Sequence, residues 1–128
     1  MDYKLVVHYI DGKLAKGRSR DFFPNKESFL LDEIEGGGSC EVQVAELKAV
    51  FFVKSFAGRN DYKSRPEVER AGFGKRIQVR FKDGETTVGY TSGYFAGRRV
   101  FFVFPADPED NNDRIFVNSA ATEKIEFL

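Results

Sequence analysis

The chain has 128 residues, with 20 basic and 20 acidic side chains, so its formal net charge is zero and it lacks the basic surplus typical of a dedicated nucleic-acid-binding domain. The single cysteine, Cys40, excludes an intramolecular disulfide and a zinc site made of cysteines alone, and favours a reducing, cytoplasmic setting. No stretch approaches the roughly 20 apolar residues that span a bilayer, so we expect no membrane association.

The first predicted elements form a hairpin that the chain later repeats. Alternating apolar residues predict a first strand, Asp11-Gly12 predicts a tight turn, and the second strand is interrupted by Gly17. The segment from 5 to 23 is similar to the segment from 77 to 95, at a constant offset of 72 residues. A repeat of this kind predicts two similar structural units. The 14 phenylalanines also favour strands, because aromatic side chains suit half-buried pleated surfaces.

The remaining strands of the two units follow one pattern. They are predicted at 28–34, 40–44 and 47–53 in the first unit, and at 100–104, 114–118 and 122–128 in the second. This strand order resembles a small five-stranded Sm-like barrel. We therefore predict an all-β protein of two tandem five-stranded Sm-like barrels, at 1–53 and 76–128, that pack together or on another chain. The linker at 54–75 is expected to contain a short helical turn that begins at Pro66.

One outer face of the first unit is unusually apolar. Val6, Ile10 and Phe51 lie where the second copy has polar residues, and Phe102 and Phe104 add apolar area to the third strand of the second copy. Exposed apolar patches usually mark contacts. We expect these five side chains to contact the other unit, a protein partner or a second copy of the chain.

A local basic stretch gives a different prediction. Lys13, Lys16, Arg18 and Arg20 lie in and beside the second predicted strand, and converging cations are what phosphate groups bind. The second copy has Val88, Tyr90 and Ser92 at the last three of these positions, so the patch is not required by the fold. RNA or single-stranded nucleic-acid binding through this strand face is the alternative function.

The sequence contains no recognisable catalytic or metal-binding pattern. His8 is the only histidine, and nucleophilic catalysis of the triad type needs a histidine with a nucleophile beside it. Cys40 matches an apolar position of the other copy. The acidic loop at 105–113 lacks the spacing of a calcium-binding loop and is typical of a surface turn. We predict that the protein is not an enzyme and that it uses no metal or cofactor.

Three segments carry a resemblance to a known family. They are FFVKSFAGRNDYKSR, KRIQVRFKDGETTVGYTSGY and FPADPEDNNDRIFVNSAATEKIEFL, and they resemble an uncharacterised bacterial family of paired small-barrel units. The resemblance implies a bacterial, cytoplasmic protein and supplies no activity and no site residues. The leading hypothesis is therefore a non-catalytic bacterial regulatory or adaptor module that binds a protein partner.

Overall fold

The computed structural model of the protein describes residues 2–58 and 61–128. Within these ranges the chain is all-β, and its strands form a single antiparallel sheet of ten. The strands are β1 Tyr3–Tyr9, β2 Leu14–Ser19, β3 Ser28–Glu33, β4 Ser39–Gln43, β5 Leu47–Val53, β6 Lys75–Phe81, β7 Thr86–Thr91, β8 Val100–Pro105, β9 Asn112–Asn118 and β10 Thr122–Phe127. Their order across the sheet is β10-β6-β7-β8-β9-β5-β1-β2-β3-β4.

The two halves of the sheet, β1–β5 and β6–β10, have the same strand order and matching registers. Leu5 of β1 lies opposite Gly17 of β2 and Phe52 of β5. Ile77 of β6 lies opposite Gly89 of β7 and Phe127 of β10. The register shift between the first and last strands occurs at the same place in both halves. The similarity of the two sequence segments therefore extends to backbone pairing.

Gly17 and Gly89 are required by close packing. A Cβ atom at Gly17 would overlap the carbonyl oxygen of Asp32, and one at Gly89 would overlap that of Phe104. Neither glycine has a positive φ, so the constraint is space rather than backbone conformation. The interrupting glycine of each copy thus lets the third strand approach the second.

The prediction of two tandem five-stranded barrels is not what the structure shows. The sheet is open, with β4 and β10 at its two ends. It continues from one half to the other because β5 pairs with β9, for example at Ala49 opposite Val117 and Phe51 opposite Ile115. The predicted all-β class is confirmed, whereas the two halves form one sheet.

Strands β5 and β9 are buried on both faces because they belong to two cores. Val50 and Phe52 of β5 lie in the core of the first half. Phe51, from the opposite face of β5, lies in the core of the second half. In the other direction, Phe116 of β9 contributes to the core of the first half. Each half therefore completes the core of the other.

The helical turn predicted at Pro66 does not form a helix. Pro66 and the residue after it form a single turn, in which Val68 N donates to the Arg65 carbonyl at 3.5 Å. Among the described residues, 3-10 turns occur at Val44–Glu46 and Ser119–Ala121. The carbonyl groups of Pro66 and Val68 accept hydrogen bonds from side chains of the second half. The guanidinium of Arg76 donates to the carbonyl of Pro66, and the hydroxyl of Tyr90 donates to that of Val68 at 3.2 Å. These two bonds hold the connecting segment against the second half.

Candidate functional site

A cleft of about 220 Å³ opens between β7 and β8. The two strands pair only at Gly89 with Pro105 and at Tyr90 with Phe104, and then they diverge. Phe102 and Phe104 of β8 supply aromatic walls, while Thr91, Ser92, Gly93 and Arg98 supply the opposite, more polar side. Largely apolar clefts with a few polar groups are the usual form of a binding site.

Two backbone groups of Phe102 face the gap between the strands. Ser119 N donates to Arg99 O across β8 and β9, and in an antiparallel pair such bonds occur at alternate residues. The N–H and C=O of Phe102 therefore point towards β7. The carbonyl accepts from the Thr91 hydroxyl at 2.7 Å. Because the pairing of β7 with β8 stops at Tyr90 and Phe104, the N–H has no backbone partner in β7 within the described ranges 2–58 and 61–128.

Arg98 and Phe95 form the exposed rim beside the cleft. The Arg98 Nε donates to the Val100 carbonyl at 3.0 Å, which leaves the rest of the guanidinium available. Its carbon lies 5.7 Å from the centre of the Phe95 ring. Phe95 is 61% exposed. The rim thus presents a cation and an exposed aromatic ring next to the apolar walls.

The corresponding gap in the first half, between β2 and β3, is bridged by a carboxylate. Asp21 Oδ1 accepts from Leu30 N at 2.9 Å and from the Ser19 hydroxyl at 3.1 Å. Lys26 Nζ lies 3.6 Å from Asp21 Oδ2. Burial alone would raise the pKa of Asp21, but these hydrogen bonds and the Lys26 charge hold it below its ordinary value. Phe22, the next residue, fills the first core.

The predicted interface residues occupy three different environments. Phe51 is buried, and Val6 packs against the same second core, so both contact the other half of the chain. Ile10 is 56% exposed and lies near Lys48 and Lys82, away from the cleft between β7 and β8. Phe102 and Phe104 line that cleft. Of the five, only these last two are brought together at an open site.

The predicted basic residues are divided between β2, its end and the turn before it. Lys16 donates to the Phe56 carbonyl at 3.1 Å, and the Arg18 guanidinium lies 5.9 Å from the centre of the Phe56 ring. Lys13 forms an ion pair within the first turn, at 3.8 Å. Arg20 is exposed beyond the end of β2. Lys16 and Arg18 therefore lie on the same face of β2, beside Phe56, whereas Lys13 pairs with Asp11 in the turn.

A polar cluster at the contact between the halves was not predicted. Lys48 of β5 is buried, and its ammonium group forms ion pairs with Asp83 at 2.7 Å and with Glu85. His8 packs on the Phe51 ring, 4.4 Å between ring centres. Burial, and then the Lys48 charge, lower the pKa of His8. The available signal was a lysine inside the otherwise apolar segment LKAVFFV, since a buried lysine needs an anionic partner.

A second ionic cluster attaches the connecting segment to the loop between β8 and β9. Asp107 is buried and accepts two hydrogen bonds from the Arg65 guanidinium, at 3.0 and 3.1 Å, and one from the Tyr62 hydroxyl. The Arg65 hydrogen bonds hold the pKa of Asp107 well below its usual range. In the described part of the chain, no group of three or more histidine, cysteine or acidic residues is placed to hold a metal ion.

The comparisons with known proteins give a family and no activity. Residues 1–128 match a family of unknown function, DUF6982. No curated protein and no solved structure is significantly similar to the chain. Among the described residues, no helix has the length and apolar character needed to cross a membrane. Because the match extends over the whole chain, the protein belongs to the DUF6982 family.

Proposed function

We propose that the protein is a non-catalytic bacterial binding module, of the regulatory or adaptor type, that binds a protein partner at the cleft between β7 and β8. The observation that carries this proposal is the cleft itself, where Phe102 and Phe104 form walls that remain accessible from solvent. Aromatic residues and arginine are enriched where proteins bind each other. Phe95 and Arg98 place both residue types at the rim.

Two further observations support a binding role over a catalytic one. The strongest charge clusters of the described chain, around Lys48 and Asp107, are paired internally. Both clusters connect segments that are distant in sequence, which is a structural task. The cleft contains a backbone N–H and a guanidinium, but the groups that line it include no histidine, cysteine or carboxylate that would act as a base or nucleophile.

The finer description of the fold belongs to the same proposal. We infer that each half is a Sm-like small barrel opened into a shared sheet, in a cytoplasmic bacterial protein. The support is the strand order, which runs from the closing strand through the first to the fourth strand in each half. Pairing of β5 with β9 gives each half an edge partner in the same chain, so closure of either half on itself is not needed.

Nucleic-acid binding has weaker support than protein binding. Phosphate affinity depends on several cations that converge on one backbone. Lys16 and Arg18 contact Phe56, and Lys13 pairs with Asp11. The formal net charge of the chain is zero. These features favour the cleft over the β2 face as the site of function.

The proposal is tested by affinity capture from native cell lysate, with and without nuclease. The bait is the wild-type chain, compared with Arg98→Gln, Phe104→Ala and the matched control Lys26→Gln, which changes the corresponding cation of the first half. We expect a captured protein that resists nuclease, is retained by the control and is lost with both cleft variants. Capture that is equal for all baits, or that disappears with nuclease, would overturn protein binding at this cleft. Circular dichroism of each bait establishes that it is folded.

A further inference from the structure

The two halves differ at one position of an otherwise shared polar arrangement. At the offset of 72 residues, Thr91, Arg98 and Phe102 occupy the places of Ser19, Lys26 and Leu30. The hydroxyl, the cation and the strand N–H are thus present in both halves. Gly93 occupies the place of Asp21. The second half therefore keeps the groups that surround a carboxylate but has no carboxylate.

The backbone does not require glycine at position 93. Gly93 has no positive φ, and a Cβ atom there would meet no other atom within 4 Å. The neighbouring Gly89, by contrast, has no room for a Cβ. A side chain at position 93 is thus sterically allowed. Because Gly93 has none, the cleft stays open beside the N–H of Phe102.

We propose that this cleft binds a carboxylate supplied by the protein partner, an aspartate or glutamate side chain in a segment that also presents an apolar residue. The inference rests on the proposed function and names the chemistry that the site recognises. The Phe102 N–H would donate to one carboxylate oxygen, as Leu30 N donates to Asp21 in the first half. Arg98 supplies the counter-charge that Lys26 supplies to Asp21.

The aromatic walls explain the apolar residue of the partner. In the first half, Asp21 is followed by Phe22, whose ring packs at 5.1 Å from the rings of Phe29 and Phe116. In the second half the ring that corresponds to Phe22 is Tyr94, which packs on Phe101 at 4.5 Å between ring centres. Phe102 and Phe104 project from the opposite face of β8 and line the open cleft. The place of Phe22 is therefore filled in both halves, and it is the open walls made by Phe102 and Phe104 that are free to contact an apolar residue beside the partner's carboxylate. Charge-assisted hydrogen bonds of carboxylates are about twice as strong as neutral ones, so an amide in place of the carboxylate should bind less tightly.

The first experiment is an NMR titration of the ¹⁵N-labelled full chain with two dipeptides, N-acetyl-Asp-Phe-amide and N-acetyl-Asn-Phe-amide. We expect the Phe102 amide proton to move downfield with the aspartyl dipeptide, and its affinity to exceed that of the asparaginyl dipeptide by about tenfold. Arg98→Gln should remove most of this difference. Titration with 3-phenylpropionate separates the alternatives: binding tighter than that of the aspartyl dipeptide would overturn a peptide as the source of the carboxylate.

The second experiment supplies the carboxylate from within the chain. Gly93→Asp should bridge the gap as Asp21 does, slow hydrogen exchange at the Phe102 amide by about tenfold and abolish binding of the aspartyl dipeptide. Gly93→Asn is the matched control. It should slow exchange at the Phe102 amide less than Gly93→Asp does, and it should weaken dipeptide binding less. Equal effects of the two dipeptides, no response of Phe102 to either, or no slowing in Gly93→Asp would overturn this inference. The proposed function would fail separately, if lysate capture did not depend on Phe104 and Arg98.

Discussion

Replacement of Phe51 by alanine should destabilise the whole protein, because this side chain comes from a strand of the first half and fills the core of the second. Phe51 projects from β5 into the core of the second half and is only 6% exposed. Burial of a phenylalanine contributes about 1.5–3 kcal/mol by transfer alone, and the cavity left behind brings the usual cost of Phe→Ala to about 3–5 kcal/mol. That is a large part of the roughly 5–15 kcal/mol that stabilises a typical domain.

The chain contains a matched control for this substitution. Glu126 of β10 is the residue that corresponds to Phe51 of β5, at an offset of 75 residues, but β10 is an edge strand. Glu126 forms an ion pair with Lys124 at 3.5 Å, and a surface pair of this kind contributes about 0–1 kcal/mol. Glu126→Ala should therefore change stability little.

Urea denaturation followed by circular dichroism measures both variants. With a slope of about 2 kcal/mol per molar urea, Phe51→Ala should lower the midpoint by about 1.5–2.5 M, and Glu126→Ala by less than about 0.5 M. The slope should stay the same, and both halves should unfold in a single transition. Equal midpoint shifts for the two variants, or two separate transitions in the wild type, would refute the view that the halves share their cores.

Three further predictions concern ionisable groups. The pKa of Asp107 is lowered, so the stability that its ionised form contributes is present above the ordinary aspartate pKa of about 3.9 and is lost as the pH falls towards the folded value. Asp107→Asn should therefore destabilise the protein at neutral pH and flatten the decline in melting temperature on acidification. The pKa of His8 is also lowered, by burial and then by the charge of Lys48, against the opposing charges of Glu85 and Asp83. The stability of the protein should therefore decrease as the pH falls below about 6.5, and His8→Gln should remove that part of the pH dependence. An ordinary His8 pKa in an NMR titration would contradict this. Lys48→Met should raise the pKa of Asp83, which the Lys48 hydrogen bond lowers, as measured by carboxyl NMR. It should also destabilise the protein by about 1–3 kcal/mol, as measured by urea denaturation. An unchanged Asp83 pKa would show that the ion pair does not form.

Local patterns in the sequence were sufficient to predict the strands. The all-β class is confirmed, since alternating side chains and turn glycines act over a few residues. The turn predicted at Pro66 does not continue as a helix, and the carbonyl groups of Pro66 and Val68 are bonded to Arg76 of β6 and Tyr90 of β7. Tertiary contacts of this kind leave no signal in the local sequence.

The open sheet was harder to predict because it depends on a pairing between distant strands. The segment LKAVFFV is apolar on both faces, and such a strand is buried on both sides, which indicates a central position rather than the rim of a barrel. The cleft posed a similar problem. The change from Asp21 to Gly93 is visible in the repeat, but its meaning depends on knowing that Asp21 bonds to Leu30 N.

The pairing of β5 with β9 also bears on how far such a sheet can grow. At the two edges of the sheet, β4 corresponds to β9 and β10 corresponds to β5. If β4 of one molecule paired with β10 of the next as β9 pairs with β5, successive molecules would build an endless fibre. At the positions of Phe116 and Phe51, however, these edge strands carry Glu41 and Glu126. Docking would push carboxylates into a neighbour's apolar core, which is costly. Charge at the two ends therefore disfavours extension of the sheet through this kind of contact.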